Sequence, residues 1–228
     1  IPFDCDLYAG QMGPRGNKVA SYLANHADLI LAIGTRLGFN STFYSYDNIS
    51  KSAKIVQVDI DPIALGRYFP IELGINNDAK KFLENLSSLI SLKKFNQNNT
   101  VWVNNFFNEK NKYYKNRDNE ADTNSKIIQP SGLFKELREI LPKNASVTLD
   151  AGTLCLQATD QFYFSKPKSL FTPLDFGLVG FSFACGLGIK VAKPNKTVVS
   201  LMGDGGFGMT ISELSTAVEH GINTITIV

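Results

Sequence analysis

The sequence predicts an α/β protein with two doubly wound parallel-sheet domains. Short apolar, β-branched runs alternate with helical patterns in residues 16–90 and again in residues 129–228. Between these regions the composition shifts toward Asn, Lys and Asp. We therefore expect domains at residues 1–90 and 129–228, joined by a connection at residues 91–128.

The first domain is predicted to alternate helices with buried strands. In chain order, its elements are a helix at residues 17–25, strands at residues 28–33 and 54–60, and a helix that begins after Asp78. Both strands are apolar for most of their length, which is typical of a parallel sheet covered on both faces.

The connection at residues 91–128 is predicted to be partly helical. Trp102, Val103, Phe106 and Phe107 interrupt an otherwise polar stretch, which favours an amphipathic helix packed on other elements. We expect the remainder to be a solvated linker.

The second domain repeats the α/β pattern. Its predicted elements are a helix capped by Ser131, a strand at residues 145–149, a small-residue helix after Gly177–Gly180, a strand at residues 198–202, a helix ended by Gly221 and a strand at residues 223–228. Thr210 stands three residues before Glu213, the spacing of a capping box, and this predicts the start of the helix that Gly221 ends.

Composition and charge exclude several functional classes. Hydrophobic content of 43% and charged content of 19% are ordinary for a globular protein, and a net charge of +2 is too small to indicate nucleic-acid or membrane binding. Neither a signal peptide nor an apolar stretch long enough to span a bilayer is visible. The three scattered cysteines, Cys5, Cys155 and Cys185, indicate buried reduced thiols in a cytoplasmic protein.

The two ends suggest an internal segment of a longer protein. Ile1 is not an initiator residue, and the chain stops inside the last predicted strand. An unpaired strand edge is a liability at a natural terminus. We therefore expect both domains to be truncated in this chain.

The most informative motif is the run Gly203-Asp204-Gly205-Gly206, which follows an apolar strand and precedes a helical pattern. Open α/β sheets bind charged ligands at such strand ends. Glycines let backbone N–H groups approach a phosphate, and Asp204 can hold the divalent cation that accompanies a diphosphate. Gly-Asp-Gly is also a common turn tripeptide, so a purely structural role stays open at this point.

Four other segments carry both a functional and a structural interpretation. Asp59 and Asp61 could hold a ribose or end a strand. Gly34, Thr35 and Arg36 could contact a phosphate or form an ordinary turn. The segment from Asp150 to Thr153 could converge with Asp204 on one ligand, and Leu178 and Val179 could wedge against an apolar ligand or serve helix packing. His26 and His220 are interpreted as structural, which disfavours a histidine triad or zinc site.

Taken together, these residues resemble thiamine diphosphate-dependent enzymes of the acetolactate synthase type. The resemblance rests on Gly203-Asp204-Gly205 after a strand, on Asp150-Ala-Gly152, and on the run Gly177-Leu-Val-Gly180. Upstream, Gly13-Pro-Arg-Gly16, the segment at residues 27–36 and the segment at residues 57–62 are similar to the Rossmann-like central domain of these enzymes. Within this superfamily, the residues are similar to those of acetolactate synthases and of sulfoacetaldehyde acetyltransferases. Residues 34–38 and 53–59 lean toward the acetyltransferase, and residues 213–221 lean toward the synthase.

The resemblance implies a set of cofactor-binding residues. Asp204 would bind Mg²⁺, while Gly203, Gly205 and Gly206 would hold the diphosphate through their N–H groups. Gly152 and Thr153 would touch its other side. The Gly177 carbonyl would accept a hydrogen bond from the aminopyrimidine, with Leu178 beside it, and Val179 would support the bent cofactor.

The resemblance also implies chemistry and partners. Thiamine diphosphate would provide the electron sink for C–C bond lysis or ligation on a 2-keto acid such as pyruvate or on an aldehyde. No catalytic side chain is expected in this chain: the activating glutamate belongs to an N-terminal domain of a partner subunit, and the second metal ligand would lie beyond Val228. A homodimer or tetramer is implied. Flavin adenine dinucleotide is a possible second cofactor, suggested here by Arg36 alone.

Two other classes compete with this hypothesis. A phosphatase of the haloacid dehalogenase type also uses a strand-end Asp-x-Asp, as in Asp59 and Asp61, and a later Gly-Asp-Gly. That class expects Asn-Asp soon after the glycines, where this chain has Gly206-Phe207. A non-enzymatic nucleotide-binding module would explain the α/β pattern but not two phosphate-type loops in one domain.

Overall fold

A computed structural model of the chain describes residues 2–13, 16–91, 100–121, 126–173 and 175–228. Two compact units are present: one is Ala9–Tyr114, and the other combines Ile1–Tyr8 with Lys115–Val228. Each unit contains a parallel sheet with flanking helices, which confirms the predicted α/β class. The domain limits given from the sequence stay predictions.

The unit Ala9–Tyr114 is built on a three-stranded parallel sheet of order β1-β2-β3. Its elements are α1 (Lys18–His26), β1 (Leu29–Ile33), α2 (Phe39–Thr42), β2 (Lys54–Asp59), β3 (Leu73–Asn76) and α3 (Ala79–Ser91), with 3₁₀ turns at Tyr46–Asn48 and Pro62–Ala64. A core of Ala32, Leu37, Ile49, Ile55 and Phe69 packs against this sheet. Strand β3 was not predicted, because it is only four residues long and contains Gly74.

The helix predicted in the connection is confirmed as α4 (Thr100–Glu120), in which Phe106 is buried. Near its end, the Arg117 guanidinium forms an ion pair with Asp160, with 2.7 Å between Nη2 and Oδ2. Arg117 Nη1 also donates to the Tyr163 hydroxyl at 2.8 Å. The linker predicted on either side includes residues 92–99 and 122–125, which lie outside the described residues, as do Pro14 and Arg15 of the first motif.

The second unit is built on a four-stranded parallel sheet of order β5-β4-β6-β7. Its elements are α5 (Pro130–Ile140), β4 (Ser146–Leu149), α6 (Thr153–Gln161), β5 (Leu170–Phe171), α7 (Phe181–Ala192), β6 (Val198–Leu201), α8 (Asp204–Thr210), α9 (Glu213–Glu219) and β7 (Ile225–Ile227). Every residue of β4 and β6 is buried, as expected for central strands of a parallel sheet.

Alternation along the central strands divides their side chains between two faces. Val147 and Leu149 of β4, with Val199 and Leu201 of β6, join a core with Phe134, Phe162 and Ala158 of the α5 and α6 side. On the other face, Thr148 and Ser200 meet α7 through hydrogen bonds to Ser182.

Two predicted helix starts are wrong. Helix α5 begins at Pro130 after Gln129, so Ser131 lies inside its first turn and does not cap it. Thr210 is the last residue of α8, and its hydroxyl has no hydrogen-bond partner among the residues that the structure describes. Helix α9 begins at Glu213 after Ser212. The capping-box spacing was misleading because a helix already starts at Asp204, directly after the strand.

The predicted end of α9 is confirmed. Gly221 has a positive φ of 61°, and Ile222 N–H donates to the Ala217 carbonyl at 2.8 Å, which completes a Schellman motif. Among the helices that the structure describes, none combines the length and apolarity needed to cross a membrane.

Candidate functional site

The candidate site lies where the two central strands of the four-stranded sheet end. Strands β4 and β6 are in register, with Leu149 opposite Leu201, so Asp150 and Met202 leave the sheet at the same level. The carboxyl ends of parallel strands lie at one edge of the sheet. The two segments that sequence analysis expected to converge are therefore brought together.

Asp150 is buried and hydrogen-bonded to the start of α7. Its Oδ2 accepts from the Gly180 N–H at 2.8 Å, and its Oδ1 accepts from the N–H groups of Phe181 at 2.7 Å and Ser182 at 3.1 Å. With 3% of its surface exposed, this carboxylate caps a helix that begins thirty residues later. Sequence analysis did not assign this role, because nothing local to Asp150 indicates its partners.

Gly152 turns the chain from β4 into α6. Its φ of 135° and ψ of −175° are available essentially to glycine alone, and no side chain caps the helix that follows. The first N–H groups of α6 therefore have no intrahelical partner. An added Cβ at Gly152 would meet no atom within 4 Å, so the backbone here faces open space.

Helix α8 begins within the Gly-Asp-Gly motif. Gly203 is its N-cap and has no capping side chain, and the exposed Asp204 is its first residue. Asp204 Oδ1 accepts from the Gly205 N–H at 2.8 Å. The space beside Gly203 and Gly205 is open, whereas Gly206 is buried against Asp150, so that a Cβ there would overlap the Asp150 Oδ2.

These segments enclose a pocket of about 340 Å³, which we call the glycine pocket; it is lined by Asp150, Ala151, Gly152, Thr153, Leu154, Val179, Met202, Gly203, Asp204, Gly205 and Gly206. Seven of the nine predicted cofactor-binding residues line it. Gly177 and Leu178 do not: Gly177 has a φ of 61° and open space beside it, and Leu178 is 55% exposed.

The donor set of the glycine pocket suits a diphosphate accompanied by a divalent cation. Two helix N-termini without side-chain caps offer backbone N–H groups, and their dipoles favour an anion. Mg²⁺ is commonly held by one or two carboxylates plus phosphate oxygens. Within the described ranges, no group of three or more His, Cys, Asp or Glu side chains lies close enough together to hold a metal. Of the two carboxylates that line this pocket, Asp150 is buried and Asp204 is exposed.

A buried hydroxyl network supports the sheet below the pocket. Thr148 Oγ1 donates to Ser200 Oγ at 2.9 Å, and Ser182 Oγ donates to the Thr148 carbonyl at 2.9 Å. Gly186 lets α7 approach this network, since a Cβ there would overlap Ser200 Oγ. The polar groups under the pocket therefore satisfy one another and are not available to a ligand.

The remaining segments singled out in the sequence have structural partners. Asp59 Oδ1 accepts from the Asp61 N–H and Asp61 Oδ1 accepts from the Ile63 N–H, both at 3.0 Å, so both carboxylates serve local turns. Buried Gln57, which sequence analysis passed over, donates from Nε2 to the carbonyls of Thr35 and Ala64. His26 is hydrogen-bonded to the Tyr22 carbonyl and stacked on the Tyr22 ring, as expected for a structural residue.

The cysteines differ from one another in exposure. All three are free, but only Cys155 is buried; Cys185 is half-buried and Cys5 is exposed, so the prediction of buried thiols is wrong for Cys5. Burial raises the pKa of the Cys155 thiol, with the Asp150 charge adding to the effect and the Thr172 hydrogen bond opposing it. Burial also raises the pKa of Cys185.

Comparison with protein families agrees with this geometry. Residues 150–228 match the C-terminal TPP-binding domain of thiamine pyrophosphate enzymes, and residues 1–86 match the central domain of the same enzymes. The matched C-terminal region contains every residue that lines the glycine pocket. The chain belongs to the thiamine pyrophosphate-dependent enzyme family.

Individual relatives carry two names. A sulfoacetaldehyde acetyltransferase of Alcaligenes xylosoxydans xylosoxydans is 30% identical over 100% of this chain and 42% of its own length. A probable acetolactate synthase large subunit of Methanocaldococcus jannaschii is 32% identical over 99% of this chain and 38% of its own length. An acetolactate synthase large subunit of Haemophilus influenzae is 30% identical over 96% of this chain and 38% of its own length. The chain thus spans about two fifths of the length of these curated relatives.

The family match confirms the resemblance inferred from the sequence and disfavours the rival classes. A phosphatase of the haloacid dehalogenase type needs its Asp-x-Asp and its Gly-Asp-Gly in one domain, whereas Asp59 and Asp204 belong to different compact units. Neither family description mentions a flavin, so the expectation of flavin adenine dinucleotide gains no support.

Proposed function

We propose that this chain holds the diphosphate of thiamine diphosphate in the glycine pocket, as part of an enzyme that cleaves or joins C–C bonds. One observation carries the proposal. Two uncapped helix N-termini and an exposed aspartate surround a glycine-lined pocket of about 340 Å³, inside the region that matches a TPP-binding domain.

Each wall of the pocket has a proposed role. The N–H groups of Gly152 and Thr153 would hold one side of the diphosphate, and those of Gly203, Gly205 and Gly206 would hold the other. The Gly205 N–H, which donates to Asp204 Oδ1 in this structure, would change partner when the cofactor binds. Asp204 would hold Mg²⁺, and the cation would offset the charge of the diphosphate. The exposure of Asp204 supports this role, because a carboxylate must be accessible to ligate an ion that also contacts a ligand.

The turn before α7 is proposed to face the rest of the cofactor. The Gly177 carbonyl would accept from the aminopyrimidine, with Leu178 adjacent to it. Val179, which lines the pocket and is 41% exposed, supports the cofactor from its apolar side. An apolar contact at this place excludes water from the reacting region.

The proposed reaction is that of an acetolactate synthase, acting on a 2-keto acid such as pyruvate. Thiamine diphosphate, when bound, supplies a carbon nucleophile and an electron sink for the bond-breaking step. The residues of this chain bind and orient, and the activating glutamate is proposed to come from another domain of a partner subunit. We therefore propose that the full-length protein works as a homodimer or tetramer.

A sulfoacetaldehyde acetyltransferase is the second candidate. Relatives with that name align over the whole of this chain, as the synthases nearly do. The segments at residues 34–38 and 53–59 favour it, whereas residues 213–221 favour the synthase. A cytoplasmic location is proposed in either case, since the three cysteines are free thiols.

The two candidates separate in one assay on the full-length protein, reconstituted with thiamine diphosphate and Mg²⁺. We expect pyruvate alone to give acetolactate and CO₂. Inactivity with pyruvate, combined with release of sulfite and acetyl phosphate from sulfoacetaldehyde and phosphate, would establish the acetyltransferase. No turnover with either substrate, together with unchanged cofactor binding in Asp204→Ala, would contradict the whole proposal.

A further inference from the structure

Asp150 lies at the junction of three segments that line the glycine pocket. It is the last residue before the turn at Ala151 and Gly152, its carboxylate holds the N–H groups of Gly180, Phe181 and Ser182, and it packs against Gly206 of α8. Each of these segments contributes residues to a different wall of the pocket.

The helix that Asp150 caps lacks a cap of its own. Gly180 is the N-cap of α7, with a φ of 88° and no side chain to offer. A side chain from another strand end supplies the missing acceptor. Removing that acceptor therefore has two effects: the start of α7 frays, and the hydrogen bonds that join it to the end of β4 are lost.

The turn that precedes Gly180 is highly exposed. Phe176 is 94% exposed, Leu178 55% and Val179 41%, while Gly180 itself is buried. Side-chain burial therefore anchors residues 176–179 only weakly, and the bonds to Asp150 begin at the very next residue. Backbone bonds from the Phe176 and Gly177 N–H groups to the Pro173 carbonyl hold the start of this turn, and the bonds to Asp150 hold the end beside Val179.

We propose that Asp150 is a positioning residue for the cofactor, which sets the distance of Val179 and Gly206 from the turn at Gly152. This inference rests on the proposed function. It assigns to this carboxylate a task separate from metal binding, since Oδ1 accepts two backbone N–H groups, Oδ2 accepts a third, and the residue is buried.

The geometry makes aspartate hard to replace. Asparagine has one carbonyl oxygen, and its NH₂ group would face a backbone N–H, so at least one of the three bonds is lost. Glutamate keeps the charge but adds a methylene beside Gly206, where even a Cβ cannot be accommodated. Serine keeps a single short acceptor.

The test compares Asp150→Asn with a matched control, Asn17→Ala, in the full-length protein. Asn17 is also a buried capping residue, whose Oδ1 accepts from the Val19 N–H at 2.8 Å, but it caps α1 in the other unit. Three quantities are measured: amide hydrogen exchange at residues 180–182 without cofactor, the thermal midpoint without cofactor, and the Kd of thiamine diphosphate with Mg²⁺.

We expect Asp150→Asn to accelerate exchange at residues 180–182 about tenfold and to raise the Kd about tenfold, the size of effect expected from losing a helix cap. Asn17→Ala should lower the thermal midpoint and leave the Kd unchanged. If Asp150→Asn does not fold, Asp150→Ser should give the same two changes in equal or larger size, because it keeps a single acceptor oxygen on a shorter side chain.

Three results would overturn the inference. Unchanged exchange at residues 180–182 would refute the cap, and faster exchange with an unchanged Kd would refute the positioning role. An equal rise in Kd for Asn17→Ala would show that general destabilisation, and not a positioning role, explains the Kd of Asp150→Asn. Failure of the wild type to bind thiamine diphosphate would instead refute the proposed function, and this inference with it, while the exchange data would still report the cap.

Discussion

The two sheets differ at their carboxyl ends. At the end of the three-stranded sheet, side chains form hydrogen bonds with the backbone groups of the loops. At the end of the four-stranded sheet, two helix N-termini have no capping side chain. Gln57 bonds to the Thr35 and Ala64 carbonyls and to the Gly66 N–H, and Asp61 caps a 3₁₀ turn. Around the glycine pocket, Gly152 and Gly203 stand at the two N-caps and offer no side chain.

This difference indicates which edge is suited to a ligand. The two helix N-termini are exposed at the pocket, so their backbone N–H groups are open to water or to a ligand, whereas side chains already occupy the loop backbone at the other edge. Asp204 and Asp61 both lie near a strand end and both accept from a nearby backbone N–H, but only Asp204 also lines the glycine pocket, with open backbone on either side. Four predictions test this contrast, from the largest expected effect to the smallest.

The largest effect is expected from Gln57→Leu, which removes the side chain that closes the edge of the three-stranded sheet. Two carbonyls and one N–H lose their partner in a buried place, at a cost of about 3 kcal/mol in the free energy of unfolding. Urea denaturation measures the loss. Thiamine diphosphate binding at temperatures where the variant is folded should be unchanged; a weakened Kd would show that the two edges are coupled.

Asp204→Ala and Asp61→Ala should affect different properties: the first should weaken cofactor binding, and the second should lower stability. Asp204→Ala should weaken binding of thiamine diphosphate with Mg²⁺ by about 100-fold, or about 2.7 kcal/mol, because the cation loses its carboxylate ligand. Asp61→Ala should lower stability by about 1 kcal/mol through loss of a cap and leave binding intact. Isothermal titration and thermal melts separate the two effects, and equal binding by both variants would contradict the assignment.

Two glycines of α7 test the packing beneath the pocket. Gly186→Ala should destabilise the protein by about 1–3 kcal/mol, since its methyl group overlaps Ser200 Oγ in the buried hydroxyl network. Gly188→Ala, two residues later in open space, should stabilise it by up to about 1 kcal/mol through helix propensity. Chemical denaturation measures whether each variant raises or lowers the free energy of unfolding. If both variants lower it, glycine is required by the backbone geometry of α7 and not by contact with the hydroxyl network.

The smallest effect is a loss of stability at alkaline pH. Cys155 and Cys185 have raised pKa values in the folded protein, so the unfolded thiols lose their protons first, from about pH 8.5. The contribution of these thiols is complete below that pH and declines as the pH rises through the folded pKa values. Thermal midpoints between pH 7.5 and 9.5 should fall less steeply in Cys155→Ala/Cys185→Ala than in the wild type; parallel slopes would exclude the thiols as the cause.

Much of the second unit could be predicted from sequence because its signals are local. The strand at residues 198–201 is a continuous apolar run, and the glycines and aspartate after it belong to a motif with a physical reason. Gly221 ended α9 as predicted, since its left-handed conformation depends on its own residue type.

Features that depend on distant partners could not be predicted. Asp150 was grouped with ligand-binding segments because its bonds to residues 180–182 have no signature near Asp150. Strand β5 has only two residues, and α6 begins at a glycine without a capping side chain, so neither produced a recognisable pattern. Gln57 was overlooked because a polar residue inside an apolar strand gives no indication of which loops it joins.

The most direct test of the account is equilibrium dialysis of thiamine diphosphate against the full-length wild-type protein, with Mg²⁺ and then with excess chelator. We expect saturable binding with Mg²⁺ and a large loss of affinity without it, because Asp204 would hold the cation, and without a cation the two negative charges would repel each other. Binding that is indifferent to both the chelator and Asp204→Ala, or no binding at all, would contradict the claim that the open edge of the four-stranded sheet is the cofactor site.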